Sequence, residues 1–151
     1  MHIVLFEPEI PSNTGNISRT CAVAGLTLHL IKPLGFSLAD RYLKRAGLDY
    51  WDKLDLHIHE NFSEFLAENP DARMFMFSTH ATNNYAEITY GPDDYLVFGP
   101  ETRGLPPEIR DVYGQAVRIP MGKEIRSLNL SNSVAIAAYE ALRQQGFPDL
   151  V

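Results

Sequence analysis

The chain has 151 residues, is 45% hydrophobic with ten glycines and ten prolines, and carries a net charge of -6. This excludes disordered and fibrous proteins and fits one globular domain, residues 1 to 151, with a real core and many turns. No apolar run approaches the roughly 18 residues of a membrane span, the first twenty residues lack the pattern of a signal peptide, and the single Cys21 excludes an internal disulfide, so a cytoplasmic protein is expected.

In chain order, His2 to Phe6 is a nearly continuous apolar run, the pattern of a buried strand, ended by Glu7-Pro8. Ser12 is a candidate N-cap for a helix that carries Ile17, Cys21 and Ala24 at helical spacing and stops at Gly25. Leu28 to Ile31 is expected as a second strand, stopped by Pro33, and Ala39 to Arg45 as a helix. Leu56 to Ile58 is expected as a strand, Phe62 to Glu68 as a short helix before Asn69-Pro70, and Met74 to Phe77 as a fully apolar strand. Tyr95 to Phe98 and Ala116 to Ile119 complete the strands, closed by Gly99-Pro100 and Pro120. In the final helix a mostly apolar stripe runs from Leu130 through Val134, Ala137, Ala138, Ala141 and Leu142 to Gln145, before Gly146 and Pro148 stop it. Strands alternating with helices predict an α/β fold with a mainly parallel sheet covered on both faces.

The charge is unevenly spread. Residues 1 to 53 carry six basic and five acidic groups, residues 54 to 101 one and nine, and residues 102 to 151 six and five. All the surplus acidity sits in the middle third. The stretch from Lys32 to Lys53, with Arg41, Lys44 and Arg45, is a candidate phosphate-attracting surface or else a solvated helix face.

In parallel sheets ligands bind beyond the carboxyl ends of the strands. Three expected strand ends lead into Ser78-Thr79-His80, into Gly99-Pro100-Glu101-Thr102-Arg103-Gly104 and into Pro120-Met121-Gly122-Lys123. Glycines there permit close backbone approach and prolines stiffen the loops, so the three segments are expected to line one pocket. The glycine-rich dinucleotide fingerprint and the P-loop pattern are both absent, which disfavours a dehydrogenase or an NTPase. His57 and His59 share a strand face without a further ligand at metal spacing, so no metal is expected and both are read as surface or half-buried histidines. Cys21, among apolar neighbours, is read as a packing residue.

Two polar constellations remain. Arg126-Ser127-Leu128-Asn129-Leu130-Ser131-Asn132-Ser133 runs straight into the final helix, so its polar groups sit at a rigid helix start suited to an anionic or polar ligand. Asn13, Asn16 and Arg19 recur every three residues along one edge of the first helix.

Asn13-Thr14-Gly15-Asn16-x-x-Arg19, Phe98-Gly99-Pro100-Glu101-x-x-Gly104-Leu105, and Ile119-Pro120-Met121 through Ser127-Leu128-Asn129-Leu130-Ser131-Asn132 resemble, in order, the three motifs of the SPOUT class of RNA methyltransferases. Glu7-Pro8-Glu9-Ile10-Pro11 and Arg45-Ala46-Gly47-Leu48-Asp49-Tyr50 are most similar to the minimal tRNA wobble-nucleotide ribose methyltransferases of that class. The resemblance implies a carboxyl-terminal deep trefoil knot and S-adenosylmethionine as methyl donor. It also implies methylation of the 2'-hydroxyl of the wobble nucleotide, cytidine or uridine 34, of tRNA by a homodimer. Two alternatives stay open: ribose methylation of another RNA such as ribosomal RNA, and a non-catalytic RNA-binding module on the same fold.

Carried over residue by residue, the resemblance assigns the cofactor pocket to Phe77, Ser78, Thr79, Gly99, Glu101, Gly104, Ile119, Met121, Ser127 and Leu128. It nominates Arg19 for activating the hydroxyl. A guanidinium with a pKa above roughly 12 rarely gives up its proton, so Arg19 is expected to stabilise the forming alkoxide or clamp a phosphate. Asn129 and Ser131 are expected to hydrogen-bond the ribose or order the loop. Arg126, Arg41, Lys44 and Arg45 would meet phosphates, and Tyr139, where relatives carry a tyrosine, would meet RNA or simply pack. The apolar stripes of the first and last helices are candidates for the dimer contact. Close relatives place Lys-Gly where this chain has His80-Ala81, and residues 82 to 93 resemble no known element.

Overall fold

A computed structural model describes residues 1–39, 41 and 48–151. Six strands, β1 (His2–Phe6), β2 (Thr27–Ile31), β3 (Leu56–His59), β4 (Met74–Phe77), β5 (Tyr95–Phe98) and β6 (Gln115–Val117), form one sheet in the order β3-β2-β1-β5-β4-β6. Every pairing is parallel, as the alternation of strands and helices predicts. The chain winds outward from β1 to β3, then crosses to the other side of β1 for β4 to β6. The strand order therefore reverses between β1 and β5, where open parallel sheets have a crevice beyond their carboxyl ends.

Successive side chains on each strand serve two different layers. Ile3, Leu5, Leu28, Leu30, Phe75, Phe77, Leu96 and Phe98 meet α1 (Pro11–Ala24) and α4 (Leu130–Gln144) on one face. Val4, Phe6, Ile31, Met74, Met76 and Val97 meet α2 (Phe62–Glu68) and α3 (Pro107–Arg110) on the other, through Phe65 and Ile109. Because both faces are covered, β4 and β5 are apolar at every position and buried throughout. No helix among the described residues is long and apolar enough to cross a membrane.

Helix ends differ from expectation in one place. α1 starts at Pro11, with Ile10 rather than Ser12 at its N-cap and no side-chain cap. Proline prevails because its fixed φ suits the first helical residue and its missing N–H is not needed there. Gly25 (φ 67°) and Gly146 (φ 76°) terminate α1 and α4 as anticipated.

β6 starts one residue and ends two residues earlier than predicted, because β4 ends at Phe77 and Arg118 then turns to another partner. Arg118 N donates to Asn83 O at 2.8 Å, and Tyr85 N donates to Arg118 O at 2.9 Å. This gives residues 82–93 a place: Tyr90 is buried, its N–H donates to Gln144 Oε1 at 3.0 Å, and Gln144 Nε2 donates to Ile88 O at 2.8 Å.

The apolar stripes of α1 and α4 correct another expectation. Ile17, Cys21, Val134, Ala137, Ala138 and Ala141 are spent on the chain's own sheet, so they offer nothing to a second copy. The large apolar side chains that α1 and α4 leave exposed are Val23, Ile136 and Tyr139. Cys21 is a buried packing residue, and burial pushes its thiol up to about 12. His57 is exposed, but His59 is buried against His29 and Phe65 rather than half-buried. The helix predicted from Ala39 to Arg45 lies largely outside the described residues, together with Lys44 and Arg45; Arg41 is exposed.

Candidate active site

A cavity of about 460 Å³ opens over the carboxyl ends of β4, β5 and β6, beside the reversal of strand order. Phe77 ends β4 at it and Ser78 and Thr79 follow, Gly99, Glu101 and Gly104 follow β5, and Ile119 and Met121 follow β6. Ser127 and Leu128 form the wall that precedes α4. All ten residues assigned to a cofactor thus lie around one space. The loop after β1 contributes Ile10, and α1 contributes Asn13.

The β5 loop is held by tight backbone geometry. Gly104 has φ 69°, a left-handed conformation that glycine adopts without strain, and its N–H donates to Pro100 O at 2.9 Å. A Cβ on Gly99 would collide with the backbone of Gly104 and Leu105. The loop is also tied to the end of β1. Thr102 donates to the Glu9 carboxylate through its N–H at 3.1 Å and its hydroxyl at 2.7 Å, Glu9 N donates to Glu101 Oε2 at 2.7 Å, and Arg103 pairs with Glu7 at 3.0 Å. The Thr102 bonds hold the Glu9 carboxyl below its ordinary pKa. Glu101 Oε1, in contrast, is buried without a hydrogen-bond partner among the described residues. A bare carboxylate oxygen in a cavity is suited to receive a cation or a hydroxyl from a ligand.

The opposite wall is organised by Asn129, the N-cap of α4. Its Oδ1 accepts from Asn132 N at 3.2 Å and from Ser131 Oγ at 2.6 Å, and its Nδ2 donates to Asn13 Oδ1 at 3.1 Å. The Asn132 N–H can only donate, which fixes the amide orientation and turns Nδ2 toward Asn13. Ordering the loop is therefore a role the geometry supplies for Asn129 and Ser131. Asn13 is buried in this link, whereas Asn16 and Arg19, expected on the same edge, are exposed.

Among the remaining predicted residues, Arg126 lines the cavity and donates to Lys123 O at 3.2 Å. Arg19 and Ser131 do not line it. Arg19 lies on α1 with its guanidinium against Tyr50, and Ser131 lies within the cap of α4. Tyr139 is exposed on α4, its ring centroid 6.5 Å from that of Phe147. Sequence reasoning missed the Glu7 and Glu9 tether as part of the site, although both glutamates stand in the Glu7-Pro8-Glu9-Ile10-Pro11 segment already singled out. No cluster of three or more His, Cys, Asp or Glu able to hold a metal exists among the described residues.

The family model described as the SpoU rRNA Methylase family matches residues 1–139. A tRNA (cytidine(34)-2'-O)-methyltransferase of Yersinia pestis is 52% identical over 155 residues, covering 98% of this chain and 96% of the relative. The tRNA (cytidine(34)-2'-O)-methyltransferase of Escherichia coli K12 is 50% identical over 154 residues, covering 100% and 98%. A solved structure concerned with 2-OH methylation of C/U34 on tRNA superposes with a TM-score of 0.92 at 49% identity, covering 96% of this chain and 95% of that one. An AdoMet-bound rRNA methyltransferase from Sinorhizobium meliloti superposes with a TM-score of 0.85 at 25% identity, over 94% of this chain and 55% of that one. A likeness that spans the chain, with Asn13 of the first motif and residues of the other two around one cavity at the strand ends, means that the chain belongs to the SpoU rRNA methylase family.

Proposed function

We propose that this chain is an S-adenosylmethionine-dependent methyltransferase that modifies the ribose 2'-hydroxyl of nucleotide 34 of tRNA. The observation that carries the proposal is the identity of 50 to 52%, over nearly the full length of both chains, to relatives named for that reaction. The cavity supports the cofactor. Backbone approach at Gly99, a bare Glu101 oxygen and a mixed polar and apolar lining suit a ligand that carries an adenine, a ribose diol, an ammonium and a sulfonium. S-adenosylmethionine, when bound, supplies an electrophilic methyl group. Phe77 and Leu128 would enclose apolar parts of it, Ser78, Thr79, Ile119, Met121 and Ser127 would supply the surrounding wall, and Gly99 to Gly104 would bring main chain close.

The chain's own task is to align the ribose hydroxyl and to stabilise the oxygen as its proton leaves. Arg19 serves as the cation for the forming alkoxide or the adjacent phosphate, and the proton passes to another acceptor or to water. Asn129 and Ser131 shape the wall on which the ribose rests. Arg126, at the cavity, and Arg41, Lys44 and Arg45, on the surface, meet phosphates, and Tyr139 offers a ring to RNA. Arg19 stands outside the cavity of its own chain, which suits a homodimer whose second copy completes each site; the exposed Val23 and Ile136 suit the contact. The domain spans residues 1–151, its carboxyl-terminal part is tied in a deep trefoil knot, and it works in the cytoplasm, where tRNA is found.

Incubation with labelled S-adenosylmethionine and total RNA, followed by nuclease mapping, tests the proposal. Label at the 2'-oxygen of nucleotide 34 is the expected result. Label confined to ribosomal RNA would replace the substrate, and no transfer to any RNA would leave a binding module.

A further inference from the structure

Glu7 and Glu9 follow β1, and neither lines the cavity. Both reach the β5 loop, which does. The Glu9 carboxylate accepts from Thr102 N at 3.1 Å and from Thr102 Oγ1, which lies 2.7 and 2.9 Å from its two oxygens, while Glu9 N donates to Glu101 Oε2 at 2.7 Å. Because the bonds run both ways, residues 9, 101 and 102 close a ring in which each contact fixes the geometry of the next. Glu101 is thereby held at two points: its carboxylate by the Glu9 N–H, and its main chain, through the adjoining Thr102, by the Glu9 carboxylate.

This clasp is backed from the other side. Gly35, in the loop after β2, donates its N–H to Pro8 O at 2.9 Å, and a Cβ on Gly35 would stand 2.7 Å from Glu9 Cα and O, so the two main chains are in direct contact. The β5 loop has further supports that do not involve the Glu9 side chain, in the Glu7 pair with Arg103 and in the bond from Gly104 N to Pro100 O. What the Glu9 carboxylate adds is therefore confined to residues 101 and 102. The two carboxylates have opposite tasks. Glu9 serves Thr102 as a set of acceptors, which requires no net charge. Glu101 keeps Oε1 buried without a hydrogen-bond partner among the described residues. A carboxylate free to rotate would turn that oxygen toward a donor or water, because an unmet buried oxygen is costly, and the bond from Glu9 N to its other oxygen opposes the turn.

We infer that Glu9 is a positioning residue for the cofactor, which clasps Thr102 so that Glu101 presents its bare oxygen to the cavity. This rests on the reading of the cavity as the S-adenosylmethionine site. Glu9 acts on the ligand only through Glu101, by holding in place before binding a group that would otherwise have to be ordered during it.

The test measures S-adenosylmethionine affinity by calorimetric titration for Glu9→Ala, Glu9→Gln and Thr102→Val, each alone and combined with Glu101→Gln, with thermal denaturation of the unliganded proteins to check folding. Glu9→Ala removes the acceptors and should weaken binding about 3- to 10-fold, no more than the loss of the Glu101 charge itself. Thr102→Val opens the clasp from the other side by a smaller change and should weaken binding about threefold. Glu9→Gln keeps an acceptor for both Thr102 groups and should bind within about twofold of the native chain. In the Glu101→Gln background none of the three should cause a further loss beyond about twofold. An equal loss from Glu9→Ala with and without the Glu101 carboxylate would overturn the inference, by showing that Glu9 supports the loop as a whole. A Glu9→Gln as weak as Glu9→Ala would overturn it too, because its charge and not its clasp would then matter. Native affinity in both Glu9→Ala and Thr102→Val would leave Glu101 in place without Glu9. A native chain that binds no S-adenosylmethionine would remove the cofactor reading itself, and the inference with it.

Discussion

Asn129 Nδ2 and Asn13 Oδ1 are 3.1 Å apart although 116 residues separate them, so one hydrogen bond joins the start of α4 to the start of α1 at the edge of the cavity. The same Asn129 side chain caps α4 and receives the Ser131 hydroxyl. Asn129→Ala removes the cap, the tie and the Ser131 acceptor together. The loss of a cap costs about 1 kcal/mol, which lowers Tm by roughly 2 to 4 °C in a protein of this size. Methyl transfer should fall by much more than that modest destabilisation accounts for, because the wall carrying Ser127 and Leu128 is displaced. Thermal denaturation with calorimetric titration of S-adenosylmethionine reads both effects, and a variant with wild-type cofactor affinity would speak against Asn129 as the organiser of that wall.

Gly99 makes a steric prediction with an internal control. A methyl group there would strike the main chain of Gly104 and Leu105, which has no flexible side-chain end to move aside. Gly99→Ala should therefore displace the β5 loop, destabilise the protein by about 1 to 3 kcal/mol and abolish measurable cofactor binding. Gly122, after β6, has open space where its Cβ would go, and Gly122→Ala should leave binding and stability unchanged. Equal behaviour of the two variants in a binding titration would contradict the close approach.

Glu101 separates charge from shape. Its Oε2 accepts from Glu9 N, while its Oε1 is buried without a hydrogen-bond partner among the described residues. Glu101→Gln preserves size and the acceptor for Glu9, so the loop tether should survive and Tm should change little. Binding of S-adenosylmethionine should weaken about tenfold or more if the bare oxygen meets a cationic group of the ligand. Unaltered affinity in the titration would assign Glu101 to holding the loop alone.

Much of this architecture is legible in the chain itself, and the failures are physically informative. Met74 to Phe77 and Tyr95 to Phe98 are apolar at consecutive positions, which only strands buried on both faces require, and the stripe in α4 ends at Gly146 as helix stops dictate. The shared pocket was legible because three glycine-, proline- and hydroxyl-bearing segments follow three strand ends, and its ten residues came from the resemblance. The tie between Asn13 and Asn129 was not, since each side chain alone satisfies the local pattern of a helix start and only the packing of α1 beside α4 brings them together. The same reason hides Tyr50 from a reading of the Asn13 to Arg19 motif, because its partner on α1 is 31 residues away. His29 was passed over for the opposite reason. It lies on β2 among apolar residues, and its partners stand on two other strands.

His29 supplies the pH prediction. Its Nε2 lies 3.0 Å from His2 Nδ1 and its Nδ1 lies 3.0 Å from His59 Nε2, so three imidazoles cross β1, β2 and β3 in a row, ending where His59 Nδ1 comes within 3.0 Å of Glu68. Burial first, and then the neighbouring His2, His59 and His57, push the His29 pKa down to about 3, against the pull of Asp55. In the unfolded chain His29 titrates near its ordinary value of about 6.5. The folded pKa is depressed, so the unfolded state binds the proton more readily, and the stability present above about pH 6.5 is lost progressively as the pH falls toward 3. Half-buried His2, whose pKa is likewise lowered chiefly by burial and next by the nearby N-terminal amine, adds to the loss in the same direction. His29→Gln keeps a donor and an acceptor on β2 without a group that titrates in this range. Urea midpoints measured from pH 7.5 to pH 4.5 should fall more steeply for the native chain than for His29→Gln, whatever the offset between the two at neutral pH. Parallel slopes would show that His29 takes up its proton as readily folded as unfolded, and would remove it as a source of acid sensitivity.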